Sequence, residues 1–199
     1  MKQDIENFRA TVENAFVKLS AISDEAAAAP PAPDKWSAKQ VIGHLIDSAS
    51  NNHQRFVRAQ FKDDLVFDGY EQEKWVEFHD YQNTPWKDLL ELWRAYNLHL
   101  ARVMENTPGD IRTAPRAKHN LHQTALYAVP ENEPATLEYF MLDYIKHLDR
   151  QIHDVHCSYV PGLGRTALRD GETEDTAENQ CQRGHWARQT HHWGFALSA

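Results

Sequence analysis

The stretch KWSAKQVIGHLIDSASNNHQRF, residues 35–56, decides the fold class, because it joins a helix start, a helical period and a histidine beside apolar positions. Ser37 followed three residues later by Gln40 makes a capping box, in which two side chains satisfy N–H groups that a helix start leaves open. Trp36, just ahead of the cap, is placed to staple the first turns. Val41, Leu45, Ala49, Asn52 and Phe56 follow at three- and four-residue steps, the period of one helix face. The spacing predicts a helix from Ser37 to about Gln60.

Three further helices follow from the same reasoning. Upstream, Ile5, Phe8, Val12, Phe16 and Leu19 give a helical stripe over residues 3–21. The run AAAAPPAPDK then breaks it, and its prolines predict an extended linker. Downstream, Thr84 as cap and Pro85 as first residue open a helix whose expected stripe is Leu89, Leu92, Trp93, Tyr96, Leu100 and Val103. The last helix opens at Thr136, with Leu137, Met141, Tyr144, Leu148, Ile152 and Val155 as its core face. Between these, 63–83 reads as a connector with a short helix around EQEKWVEFHDY, and 107–133 as a long polar loop.

With no strand pattern, four amphipathic helices mean an all-α chain, a four-helix bundle over residues 1–155. Residues 156–199 show no sustained period and are rich in Gly, Arg, Gln, Thr and His, which predicts an appended, irregular and poorly ordered C-terminal tail.

The 199 residues suffice for one core, and 41% hydrophobic with 25% charged residues is ordinary for a globular protein. A net charge of −8, with no Lys/Arg cluster, argues against a nucleic-acid partner. No apolar run is long enough to span a membrane. MKQDIENFRATVENAF has no apolar core or cleavage-like site, so no signal peptide is expected. Two cysteines make neither a disulfide framework nor a zinc ribbon, and cytoplasmic is the expected location.

Histidine is conspicuous, at 12 residues, six of them from His147 onward. His44 precedes Leu45 on its stripe as His147 precedes Leu148, so each faces the edge of the bundle interior. Asp143, His147 and Gln151 share one face of the last helix. A lone histidine in such a place is most often a hydrogen-bonded core residue. Two of them on separate helices leave a metal site open beside that reading, since bundles build metal sites from inward polar groups on facing helices. Imidazole suits zinc, nickel or iron. Asn51, Asn52 and Arg55 continue the polar edge of the second helix, and Asn51 and Arg55 are the candidate substrate-binding residues. His53 and His79 read as surface or loop residues, and His99 borders a stripe with no polar line beside it.

The segments DKWSAKQVIGHLIDSASNNHQRFVRAQ, YEQEKWV, WKDLLELWRAYNLHL and TLEYFMLDYIKHL together resemble the DinB-like superfamily, the damage-inducible B proteins and their metal-dependent-hydrolase relatives. The resemblance covers about residues 5 to 155. It implies an up-down-down-up four-helix bundle with a divalent metal, nickel, zinc or iron, held by three histidines. Those positions fall on His44, His147 and Gln151, so the third carries Gln where the family commonly shows His. The site it implies is two His with Gln151, two His with Asp143, or no working site. The resemblance further implies a small-molecule substrate, hydrolysis or transfer of a low-molecular-weight thiol, and a homodimer. The alternative is a non-catalytic bundle with a degenerate metal site, serving binding or dimerisation.

Overall fold

In a computed structural model of the protein, which describes residues 1–159, Ser37 caps its helix as the spacing predicts. The Gln40 N–H reaches Ser37 Oγ at 3.3 Å, and the Ser37 N–H reaches Gln40 Oε1 at 3.0 Å. The four long helices are α1 (Lys2–Leu19), α3 (Ala38–Arg58), α5 (Trp86–Asn106) and α8 (Leu137–Tyr159). Short helices fill the connections: α2 (Asp24–Ala28), α4 (Gln72–Phe78), α6 (Gly109–Thr113) and α7 (Leu121–Thr124). Among the described residues there is no strand, only the isolated bridges Leu65–His119 and Arg116–Ala135.

Side-chain pairs fix the helix directions. Arg9 meets Glu105 and Glu13 meets Arg94, so α1 and α5 run antiparallel. The Ser37 hydroxyl donates to Gln82 beside the start of α5, and the His53 ring meets Tyr96 midway along it, so α3 and α5 run parallel. Phe56 meets Phe140 while His44 meets His147, which makes α3 and α8 antiparallel. The order is therefore up-down-down-up, as expected.

Packing follows the apolar periods. All six expected core positions of α8 are buried, as are Ile5, Phe8, Val12 and Leu19 of α1. Full burial of a side chain such as Phe56 or Leu148 contributes roughly 1.5–3 kcal/mol. On α5 the stripe differs from expectation: Leu92 is 51% exposed and Tyr96 only half-buried, while Leu90, Asn97, Ala101 and Met104 are buried. The helix also starts one residue later than expected, at Trp86, whose N–H is taken by Asp24 Oδ1 at 2.7 Å rather than by Thr84. That carboxylate also holds Lys39 Nζ at 2.8 Å, so α2, which runs into the start of the expected linker, ties the starts of α3 and α5 together.

The 107–133 loop is pinned rather than loose. Arg116, buried, donates to the Ala59 carbonyl at 2.8 Å, and Leu121, Ala125 and Val129 are buried. At the other end, α8 runs on to Tyr159 through the first four residues of the expected tail. The rest of that tail, with His185, His191 and His192, lies outside the described residues. Among the described residues, no helix is long and apolar enough to cross a membrane.

Candidate functional site

A cleft between α3 and α8 gathers the polar side chains that both helices turn inward. Four-residue steps put His44, Ser48 and Asn52 on one line of α3, and Arg55 closes it three residues on. The facing wall of α8 carries Phe140, Asp143, Tyr144 and His147. Tyr70 and Gln72 of the connector and Gln123, Thr124 and Leu126 near α7 close the sides. The space is about 660 Å³, counting the part open to solvent.

His44 and His147 meet at its head, ring centroids 5.8 Å apart and ring planes perpendicular. The Trp36 ring also packs on His44, centroids 5.5 Å apart and planes tilted. Burial pushes the His44 imidazole down to about 3, with His147 adding to the effect, and burial likewise pushes His147 down to about 4. Both rings are therefore neutral near pH 7, with a lone pair each.

His119 shows what a structural histidine is in this protein. It is buried, its Nδ1 accepts the Leu121 N–H at 3.2 Å, and its Nε2 is left to donate to the Glu133 carbonyl at 2.7 Å. His44 is 5% exposed and has neither bond; its Nδ1 is buried with no partner. Buried polar atoms are satisfied in the great majority of cases, so an unsatisfied one asks for a ligand. The chemistry of these two donors fits a divalent metal ion bound by two neutral imidazoles.

Among the described residues, no third donor stands beside the two rings in the cleft. Asp143 is committed elsewhere: its two oxygens accept the N–H groups of Leu126 and Tyr127 at 2.7 and 2.8 Å. Burial pushes its carboxyl up, and those two amides pull it back. Gln151 lies one turn beyond His147, half-buried and outside the lining of the cleft. Among the described residues there is no group of three or more His, Cys, Asp and Glu side chains arranged to hold a metal.

Of the two candidate substrate residues, only Arg55 lines the cleft. Asn51 donates its amide to the Asp47 carbonyl one turn back, at 2.9 Å. Asn52, assigned to the apolar stripe by its spacing, lines the cleft instead and donates to the Ser48 carbonyl at 2.9 Å. Burial pushes the Tyr70 phenol up to about 12, so it stays protonated. Ser48 is missed in the sequence, where its place four residues past His44 is the one spacing signal that points to it, while Tyr70 reads there only as a connector residue able to close one bundle end.

Three other histidines have partners that the sequence did not show. His79 Nδ1 lies 3.1 Å from Asp47 Oδ1, an oxygen that also accepts the Tyr81 hydroxyl at 2.7 Å. The His53 and His99 rings stand 4.9 Å apart across α3 and α5.

Comparison with known proteins gives this arrangement its context. Residues 5–152 match the model of the DinB superfamily. The chain belongs to that superfamily. A relative from Oceanobacillus iheyensis, provisionally named a metal-dependent hydrolase, is 31% identical over 77 residues, which cover 38% of this chain. The matched stretch spans 44% of that relative's own length, less than half. YfiT from Bacillus subtilis, also described provisionally as a metal-dependent hydrolase, with an unusual four-helix bundle topology, superposes with a TM-score of 0.60. That likeness covers 78% of this chain and 85% of YfiT at 19% identity, so it speaks to the fold alone.

Proposed function

We propose that this DinB superfamily member is a metal-dependent enzyme acting on a small molecule in the cleft, by hydrolysis or by transfer of a low-molecular-weight thiol. One observation carries the reading: His44, buried and without a hydrogen-bond partner, stands against a second neutral imidazole, His147. The names of the two relatives support it.

His44 and His147 would hold the ion, with the Gln151 side-chain oxygen as the third donor. Nickel, zinc or iron there would supply Lewis acidity, which polarises a carbonyl or lowers the pKa of a water or thiol. The protein's own groups do the rest. Asn52 and Arg55 bind and orient substrate at the far end. The Tyr70 hydroxyl keeps its proton and offers it to a substrate acceptor. Asp143 holds the 125–127 backbone over the cleft and limits water there. The proposal includes a cytoplasmic location and a homodimer, the latter tested by light scattering on a sizing column.

Elemental mass spectrometry of tag-free wild type and His44→Ala tests the reading. Near-stoichiometric metal that is lost in the variant supports it, and metal-free wild type refutes it. The second reading, a non-catalytic bundle for binding or dimerisation, is favoured by one observation, the position of Gln151 outside the cleft lining.

A further inference from the structure

Among the described residues, Arg55 is a buried cation with no ion pair, and the Asp68 carboxylate attracts it only from beyond ion-pair distance. It is 9% exposed, and its Nη2 donates to the Asp68 carbonyl at 2.6 Å, a neutral acceptor. The Phe67 ring lies 5.9 Å from its guanidinium carbon. Among the described residues no carboxylate lies within ion-pair distance of it, and Asp143 in the same cleft spends both oxygens on backbone amides. Buried charges are as a rule paired, because desolvating a lone one is costly. The guanidinium presents its N–H donors as a planar fork that fits a carboxylate edge. The groups between Arg55 and the histidines, Ser48, Asn52 and Tyr70, are uncharged or held neutral.

We propose that the Arg55 end of the cleft binds the carboxylate of a small organic acid, whose far end then reaches His44 and His147. The inference rests on reading the cleft as the substrate site, but not on the metal. Arg55 and His44 are eleven residues apart on α3, about 16 Å of helix rise. The ligand is therefore elongated, with its acid at one end and its reacting group at the other. Its middle passes the hydroxyl of Ser48, the amide of Asn52 and the Phe140 ring.

The test follows the Arg55 side-chain Nε–Hε signal by NMR in nitrogen-15-labelled protein. Octanoate, octanamide and inorganic phosphate are titrated in turn, with and without a chelator. Octanoate is expected to move the signal saturably, octanamide to leave it in place, and the chelator to make no difference. Arg55→Lys, which keeps the charge and loses the fork, should weaken octanoate binding about tenfold, and Arg55→Gln by at least as much. Equal binding of acid and amide overturns the proposal, as does the absence of a shift with octanoate. Phosphate binding in place of octanoate overturns the carboxylate assignment. Octanoate binding that the chelator abolishes assigns the acid to the metal end instead. The wild-type comparison needs no variant to fold. Because the titrations with chelator are read on metal-free protein, their outcome is separate from that of the metal assay.

Discussion

Tyr81 packs directly on Gly43, so that a Cβ at residue 43 would overlap its ring, and the Tyr81 hydroxyl reaches past the glycine to Asp47 Oδ1 at 2.7 Å. The residue before His44 is thus the one over which the connector closes onto α3. Alanine in a helix is favoured over glycine by roughly 0.5–1 kcal/mol, but overpacking costs about 1–3 kcal/mol. Gly43→Ala is therefore expected to destabilise the fold by about 1 kcal/mol or more. Urea unfolding checks this; a more stable variant would mean that Tyr81 moves away freely.

Asp143 is expected to act as a clamp rather than a ligand. Asparagine can accept only one of the two N–H groups that the carboxylate now holds. Asp143→Asn should cost about 1–3 kcal/mol and speed hydrogen exchange at residues 125–127. Unchanged exchange there would show that other contacts hold the segment.

How much of this was legible in the sequence depends on what fixes each feature. The Ser37 cap and the Leu137–Val155 stripe are local and periodic, and both stand as read. The α5 stripe was misassigned because Leu92 and Tyr96 look like core by composition. The face is set by what α5 packs on, where Asn97 earns burial by accepting the Tyr144 hydroxyl at 2.6 Å. The Trp86 cap comes from Asp24, 62 residues away, and no local pattern shows it. His44 and His147 could be chosen from spacing, and the bundle brings them together. The roles of Asp143 and Tyr70 depend on segments joined only by the fold.

The pH dependence of stability has a definite sign. The folded pKa values of His44 and His147, about 3 and about 4, lie below the ordinary value of 6.5. The unfolded chain therefore binds more protons, so stability falls as pH drops from about 6.5 towards 4. Asp47 and Asp143 are shifted upward by burial and act in the opposite sense at the acid end of that range. The stability lost between pH 6.5 and 4.5 should be smaller in His44→Ala than in wild type, as read by thermal unfolding of metal-free protein. Equal slopes would mean that His44 is not buried in its neutral form.

Gln151→His offers the third imidazole that the family commonly has, one turn from His147. If the His44–His147 geometry is intact, the variant should bind zinc or nickel at least about tenfold more tightly, using the roughly 10–100-fold cost of weaker outer-shell changes as a floor. Calorimetry measures it. No change would favour the non-catalytic reading, with the Gln151 turn lying too far from the pair.

The most direct test is the metal content of four proteins purified alike without a tag: wild type, His44→Ala, His147→Ala and His53→Ala. The account predicts near-stoichiometric nickel, zinc or iron in wild type and in His53→Ala, with loss in both His44→Ala and His147→Ala while circular dichroism shows each still folded. Metal that persists without His44 and His147, or disappears with His53, would contradict it.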